Sequence, residues 1–168
     1  FLTTYHGRDD RELHTALAAF HLKACPSLAF GAPHCSSWSG SPDKIRIGFV
    51  SAFFREHTIA KLNRGLIAHL PRDEFEVEVF SFAETEDAAT NAIRQSVDRF
   101  TALPANLEIA REAIAAANLD ILYYTDIGMD PVTYFLAFAR LAPIQCTTWG
   151  HPDTTGIPNV DYFVSSDT

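Results

Sequence analysis

The amino-acid sequence predicts an α/β protein with a doubly wound, mainly parallel, Rossmann-like sheet. Three short runs, residues 45–50, 76–82 and 119–124, have the apolar and β-branched character of buried strands. Segments with the three-and-four spacing of amphipathic helices separate these runs. Strands that alternate with helices form parallel sheets, with helices on both faces.

Composition narrows the class of protein. With 168 residues, the chain is long enough for one domain with a substantial core. A net charge of −8 argues against binding to nucleic acid or to an anionic membrane, and no apolar run reaches the roughly 18 residues of a membrane span. Cys25, Cys35 and Cys146 form no Cys-x-x-Cys pair, so we expect reduced thiols and a cytoplasmic protein. Cys25, His34 and Cys35 fit no common zinc spacing, and we expect no metal.

The first element, within residues 1–43, is a helix followed by a linker. Residues 9–24 have helical periodicity, and their histidines fall mostly on polar positions, for which solvent exposure is expected. The predicted apolar face consists of Leu13, Leu17, Phe20 and Leu22. Residues 26–42 are rich in Ser, Gly and Pro, which is typical of a linker. Because Phe1 is not a methionine and the chain stops after a strand-like run, we expect a piece of a larger protein.

Residues 44–168 contain the strand-and-helix alternation. The strand over 45–50 leads through His57 to a helix for which Thr58 is the predicted N-cap. The apolar residues of that helix are Ile59, Leu62, Leu66 and Leu70. Asp130 is the predicted cap of a later helix, with Pro131 at its first position. The other predicted elements are strands at 75–82, 100–103, 119–124, 143–148 and 160–164, and helices at 91–100 and 107–117.

Three loops follow strands and therefore share the carboxyl edge of the sheet, where α/β proteins bind ligands. These loops are residues 53–58, 125–130 and 149–156, and none contains a Gly-x-Gly-x-x-Gly or P-loop sequence. His57 lies at a helix N-terminus, which attracts anions, although a surface histidine explains it equally simply. The small and hydroxyl residues of 150–156 suit sugar or phosphate oxygens, or an ordinary turn.

Taken together, residues 47–51 with His57, Leu141 to Gln145, Gly150 to Gly156 and Asp161-Tyr162 resemble the O-linked N-acetylglucosamine transferase/SPINDLY family. The resemblance covers residues 44–168. It implies the first lobe of a GT-B glycosyltransferase, with donor held in the cleft against a C-terminal lobe that carries most nucleotide contacts. The preceding helix would lead from tetratricopeptide repeats.

The resemblance also implies a set of site residues. His57 matches the active-site histidine, and Trp149, Gly150 and Pro152 match the loop against the donor sugar. Expected substrate-binding residues are Thr58, Lys61, Trp149, Gly150, His151, Pro152 and Thr154. Phe53 stands where many members have an acid, and Lys61 stands where some have a second histidine. His151 replaces a frequent tyrosine, as in the related bacterial N-glucosyltransferases.

The implied activity is transfer of N-acetylglucosamine from a UDP-sugar to Ser or Thr of an acceptor protein, with inversion and with neither metal nor cofactor. His57 would take the acceptor proton or orient the acceptor. Asp126 and Asp130 are alternative carboxylate bases. An N-glucosyltransferase is a second possibility. The third is a non-catalytic binding lobe, which Phe53 in place of the acid suggests.

Overall fold

The computed structural model describes residues 2–40, 43–83, 85–151 and 153–166. It contains a six-stranded, entirely parallel sheet in the order β3-β2-β1-β4-β5-β6, which confirms the predicted fold class. The strands are β1 (Ile45–Ser51), β2 (Phe75–Ser81), β3 (Arg99–Ala102), β4 (Ile121–Tyr124), β5 (Ile144–Thr148) and β6 (Tyr162–Val164).

Helices cover both faces of the sheet, because successive residues of a buried strand point to opposite sides. In β1, Phe49 packs into one core and Val50 into the other, and both are fully buried. The helices are α1 (Arg11–Ala24), α2 (Thr58–His69), α3 (Ala88–Gln95), α4 (Leu107–Ala116) and α5 (Pro131–Leu136). Helices α2 and α3 contribute to the core of Phe49, whereas α1, α4 and α5 contribute to that of Val50.

The strand order positions the candidate site. Strand β1 lies at the centre of the sheet, paired with β2 along its whole length and with β4 from Ile47 to Val50. The chain moves outward from β1 to β2 and β3, and then crosses to β4 on the other side. The loops after β1 and β4 therefore diverge. Their divergence leaves a crevice at the carboxyl edge, where open parallel sheets bind ligands.

Helix α1 is present as predicted, but most of the predicted buried face is wrong. Leu13, Leu17 and Phe20 are exposed, and only Leu22 packs against the core. His14, expected to be exposed, and Ala18 are instead 2% and 1% exposed. The backbone of α1 lies so close to another part of the chain that only a small residue fits at the contact. The buried His14 side chain has a polar partner at the same contact. The hydrophobic periodicity of the sequence reveals neither the close backbone contact nor the polar partner of His14.

The segment after α1 lies on the sheet domain. It forms two short 3-10 turns, and Leu28 and Ala32 are buried. Gly31 forms an isolated bridge with Arg140. The Trp38 indole donates a 2.6 Å hydrogen bond to the carboxylate of Asp120.

Two helix starts differ from the sequence-based prediction. His57 is the N-cap of α2, and Thr58 is its first helical residue. Helix α3 begins at Ala88, earlier than expected, because Asp87 and Thr90 form a reciprocal capping box there. Asp130 caps α5 with Pro131 at its first position, which confirms that prediction. No helix in the described part of the chain has the length and apolar character needed to cross a membrane.

Candidate functional site

His57 is held at the carboxyl edge of the sheet by its own helix. Its backbone is extended, and its ring Nδ1 accepts a hydrogen bond of 3.2 Å from the Ile59 N–H. This bond satisfies one of the amides that a helix N-terminus leaves unpaired. The ring also stacks on Phe53, with centroids 4.6 Å apart. Two contacts therefore fix its orientation.

The cap determines the hydrogen-bonding role of His57. A nitrogen that accepts an N–H must carry a lone pair, so the proton of the neutral ring lies on Nε2. Within the described residues, Nε2 has no protein hydrogen-bond partner. The neutral His57 ring thus keeps an N–H donor on Nε2. To act as a base through Nε2, the neutral ring would have to move its proton to Nδ1 and lose the cap.

Phe53 occupies the position where the family resemblance led us to expect an acid. Its ring contacts two neighbours: His57 stacks on it, and the Arg55 guanidinium lies 5.6 Å from its centroid. An aromatic ring cannot exchange protons with the imidazole. It supports His57 by packing, which orients the ring.

Asp126 connects the ends of the two central strands. Its Oδ2 accepts hydrogen bonds from the Ala52 N–H at 2.8 Å and from the Ser51 hydroxyl at 3.1 Å. The side chain is completely buried, and this burial raises its pKa to about 7, although the two hydrogen bonds oppose the rise. Because it has no access to the crevice, Asp126 cannot reach a substrate. Its role is to join β1 to β4.

Asp130, the second alternative base, is engaged at the start of α5. Its Oδ1 accepts from the Val132 N–H at 2.8 Å. The residue lines two cavities of about 340 and 380 Å³. The first lies against α1 and includes His14 and His21, and the second includes Phe53 and Arg55. Asp130 is therefore available as a wall of the crevice while it caps its helix.

The third loop passes very close to the loop after β4. A Cβ on Gly150 would lie 2.0 Å from the carbonyl oxygen of Thr125, so only glycine fits without movement. Trp149, immediately before it, is 40% exposed. Trp149 and Gly150 line a groove of about 240 Å³ with Ile59, Leu62 and Val164, among others. The structure thus brings this part of the loop together with α2.

The remaining predicted substrate-binding residues are dispersed. His151 is partly buried, and burial is the main cause that lowers its pKa. Thr154 lines a different cavity, of about 360 Å³, beside β6. Thr58 is exposed, and Lys61 forms a 2.8 Å surface ion pair with Glu56. Such exposed pairs are weak, so Lys61 can turn toward a ligand. Pro152 lies outside the described residues.

The sequence analysis missed a contact between α1 and the third loop. The Nε2–H of buried His14 donates a 3.0 Å hydrogen bond to Oδ2 of Asp153, 139 residues away. Asp10 lies nearby, and the three side chains offer atoms within 4.8 Å of one another, an arrangement that can also suit a metal ion. The direct hydrogen bond accounts for the approach of His14 and Asp153 without an ion. The only sequence signal was an unusual density of polar residues at 150–156.

Fold and site together define a class of protein. The chain is a parallel α/β lobe with a crevice at its switch point and without the glycine-rich fingerprint of dinucleotide-binding folds. Residues 12–168 match the sequence profile of glycosyl transferase family 41. The chain belongs to this family.

Individual relatives agree with this assignment. The Solanum lycopersicum protein described as "Probable UDP-N-acetylglucosamine--peptide N-acetylglucosaminyltransferase SPINDLY" is 27% identical over 141 residues, which is 79% of this chain. A UDP-glucose:protein N-beta-glucosyltransferase of Actinobacillus pleuropneumoniae is 39% identical over 61 residues, 36% of this chain. A solved structure, a mutant of the Thermobaculum terrenum O-GlcNAc transferase, superimposes with a TM-score of 0.65 at 26% identity over 74% of the chain.

The chain is short relative to these proteins. It spans 15% of the Solanum lycopersicum protein, 10% of the Actinobacillus pleuropneumoniae protein and 24% of the solved Thermobaculum terrenum chain.

Proposed function

We propose that this chain forms the first lobe of a GT-B protein glycosyltransferase that transfers N-acetylglucosamine from a UDP-sugar to Ser or Thr of a protein. The observation that carries the proposal is the family 41 match across residues 12–168. The position of His57 at the carboxyl edge of the central strand supports it, because ligands of parallel sheets bind at that edge. We place the protein in the cytoplasm, where its three free cysteines would stay reduced.

The reaction joins the acceptor oxygen to the anomeric carbon of the sugar. The bond between that carbon and the diphosphate breaks, and UDP leaves with the electron pair. The acceptor proton passes to a base, and the anomeric centre inverts. Catalysis then depends on an acceptor held in line and on donors that stabilise charge on the departing diphosphate.

His57 supplies one such donor. Its Nε2–H points away from a capped and stacked ring, so it can orient the acceptor oxygen or stabilise a phosphate oxygen. The first amides of α2 and the positive end of the helix dipole favour negative charge at the same place. We therefore assign His57 to orientation and charge stabilisation, and the acceptor proton to a group outside the imidazole.

A second candidate function is N-glucosylation. The specific observation in its favour is the local identity of 39% with the Actinobacillus pleuropneumoniae N-glucosyltransferase, higher than the 27% with the SPINDLY relative. In this reaction the acceptor is an amide nitrogen of Asn and the donor is UDP-glucose. The parallel lobe and His57 serve either reaction.

A transfer assay on the full-length protein tests both functions. UDP-N-acetylglucosamine and UDP-glucose are each supplied with peptides that carry Ser and Thr, or Asn, as the sole acceptor. We expect transfer of N-acetylglucosamine to Ser or Thr, and glucose on Asn would establish the second function instead. If no sugar is transferred from any UDP-sugar, the result would favour the third possibility, a non-catalytic binding lobe. Residues 1–168 alone should be inactive, because the donor needs both lobes of the cleft.

A further inference from the structure

The third loop is held at both ends by backbone contacts that leave no room for a side chain. Gly150 abuts the carbonyl of Thr125, as described above. At the other end, Gly156 has φ +64°, and a Cβ there would lie 2.3 Å from the carbonyl carbon of His14 and 2.5 Å from the Thr15 nitrogen. One end therefore rests on the loop after β4 and the other on α1.

Between these ends, a side-chain pair ties the loop to the same turn of α1. His14 and Asp153 are 2% and 11% exposed and 3.0 Å apart. The other carboxylate oxygen of Asp153 accepts the Thr154 N–H at 2.8 Å. A charge-assisted hydrogen bond shielded from water is stronger and more directional than a surface pair. Asp153 thus fixes its own loop and docks it on the helix.

We propose that His14 and Asp153 are positioning residues, which hold the loop around His151 in the orientation that receives the donor sugar. The inference rests on the proposed glycosyltransferase function. It adds α1, which the family 41 match covers from residue 12, to the active site. His14 acts through the loop and touches no reacting atom.

The geometry explains why the pair would affect donor binding more than the overall fold. The loop carries Trp149 and Gly150 into the groove beside α2, whereas the two hydrophobic cores of the sheet are formed by other residues, such as Phe49 and Val50. Loss of the pair leaves Gly150 and the strands in place but frees the loop at its centre. A displacement of about 1 Å in a positioning group can cost about 10²-fold in rate.

The test uses the full-length protein with His14→Ala, Asp153→Ala and the double substitution. His14→Gln is the rescue variant, because its amide N–H can still donate to Asp153. Thr15→Ala is the matched control, since the hydroxyl of this exposed neighbour donates to the carbonyl of Arg11 in its own helix. Hydrogen exchange of the peptide that covers residues 150–156, and kcat and KM for the sugar nucleotide, are measured at a temperature where every variant is folded.

We expect faster exchange at 150–156 and a donor kcat/KM lower by about 10- to 100-fold in both single variants, mostly through KM. The double variant should be no worse than either single one, because the residues act as a pair. His14→Gln should recover most of the loss, and Thr15→Ala should match the parent. A purely structural role would lower the amount of active enzyme without raising KM.

Three results would overturn the inference. Unchanged exchange at 150–156 would show that the pair does not hold the loop. Faster exchange with an unchanged donor KM would show that the loop is held but is not part of the donor site. Activity that is lost on dialysis against EDTA and restored by Zn²⁺ would show that a metal ion, rather than the direct hydrogen bond, links the two residues. If the parent transfers no sugar, the proposed function fails, and the exchange data still decide whether the pair holds the loop.

Discussion

Substitutions at His57 separate its role as a helix cap from its role as a hydrogen-bond donor. His57→Ala removes both. Loss of the cap costs about 1 kcal/mol of unfolding free energy, and loss of the stack on Phe53 about 0.5–1.5 kcal/mol. Loss of a donor to developing charge lowers kcat by roughly 10²–10³-fold. Under the proposed function the C-terminal lobe holds most of the nucleotide, so donor affinity should change much less.

Two further variants separate the effect of the helix cap from that of the hydrogen-bond donor. His57→Asn keeps a good N-cap but loses the stack on Phe53 and has no group at the position of Nε2, so we expect stability lower by only about 0.5–1.5 kcal/mol, with the full loss in kcat. His57→Gln places an amide N–H near that position and weakens the cap, so it should recover part of kcat in a less stable protein. A base could not be replaced by an amide, and partial rescue therefore supports a donor.

The assay is steady-state transfer with the full-length protein, together with UDP binding and chemical denaturation of each variant. Lys61→Ala serves as the comparison, because its ion pair with Glu56 is exposed and should cost far less. Near-normal kcat in folded His57→Ala would refute the catalytic role and leave His57 as a helix cap. Loss of kcat in His57→Ala that His57→Gln does not restore at all would favour the base instead.

Three other substitutions test the surroundings of the site. Gly150→Ala should lower stability by about 1–3 kcal/mol in denaturant titrations, because its Cβ would meet the carbonyl oxygen of Thr125 at 2.0 Å. Gly65→Ala, in open space on α2, should instead stabilise the protein by up to about 1 kcal/mol. Equal effects of the two substitutions would contradict the close approach at Gly150. Asp126 has its pKa raised from 3.8 to about 7, so the folded state retains a proton that the unfolded state loses, and stability should fall as pH rises from about 4 to about 7. Asp126→Asn should remove most of this fall, on the order of 2–4 kcal/mol, and an unchanged pH profile would refute the assignment. Leu62→Glu, in the exposed apolar groove beside Trp149, should reduce dye binding and self-association of the 168-residue chain, and no change would show that the groove is not an adhesive surface.

The sheet could be predicted from the sequence because each strand carries its own signal. Residues 45–50 and 119–124 are apolar enough to be recognised without knowledge of their neighbours, and the structure places them side by side at the centre. The same local logic identified Asp130 as a cap, since Asp followed by Pro at a helix start is explained within three residues.

The wrong predictions concern positions whose environment depends on more than the local sequence. The periodicity of α1 favoured Leu13 and Leu17 as buried, but the third loop contacts the helix at His14, and Ala18 is the residue that enters the core. At α2 the error was a single residue. Thr is the more common N-cap residue, which is why Thr58 was predicted. The extended backbone conformation of an N-cap occurs instead at His57, whose ring nitrogen accepts the capping hydrogen bond.

The glycine contacts of the candidate site were also invisible in the sequence. Turn-forming residues at 150–156 predicted a loop and its place at the carboxyl edge. That Gly150 and Gly156 each lie against another backbone follows only from the arrangement in space. The loop is therefore more tightly held than its composition suggests.

The separation of His14 from Asp153 has a consequence for biosynthesis. At translation rates of about 5–20 residues per second, the 139 residues between them take roughly 7–28 s to make. During this interval α1 has left the ribosome without the loop that completes its binding surface. Strands β1, β2 and β3 can pair first, since β4 joins β1 only after a long crossover. Docking of the first helix is then among the last steps of folding, and a stalled or shortened chain leaves that helix exposed to chaperones and proteases.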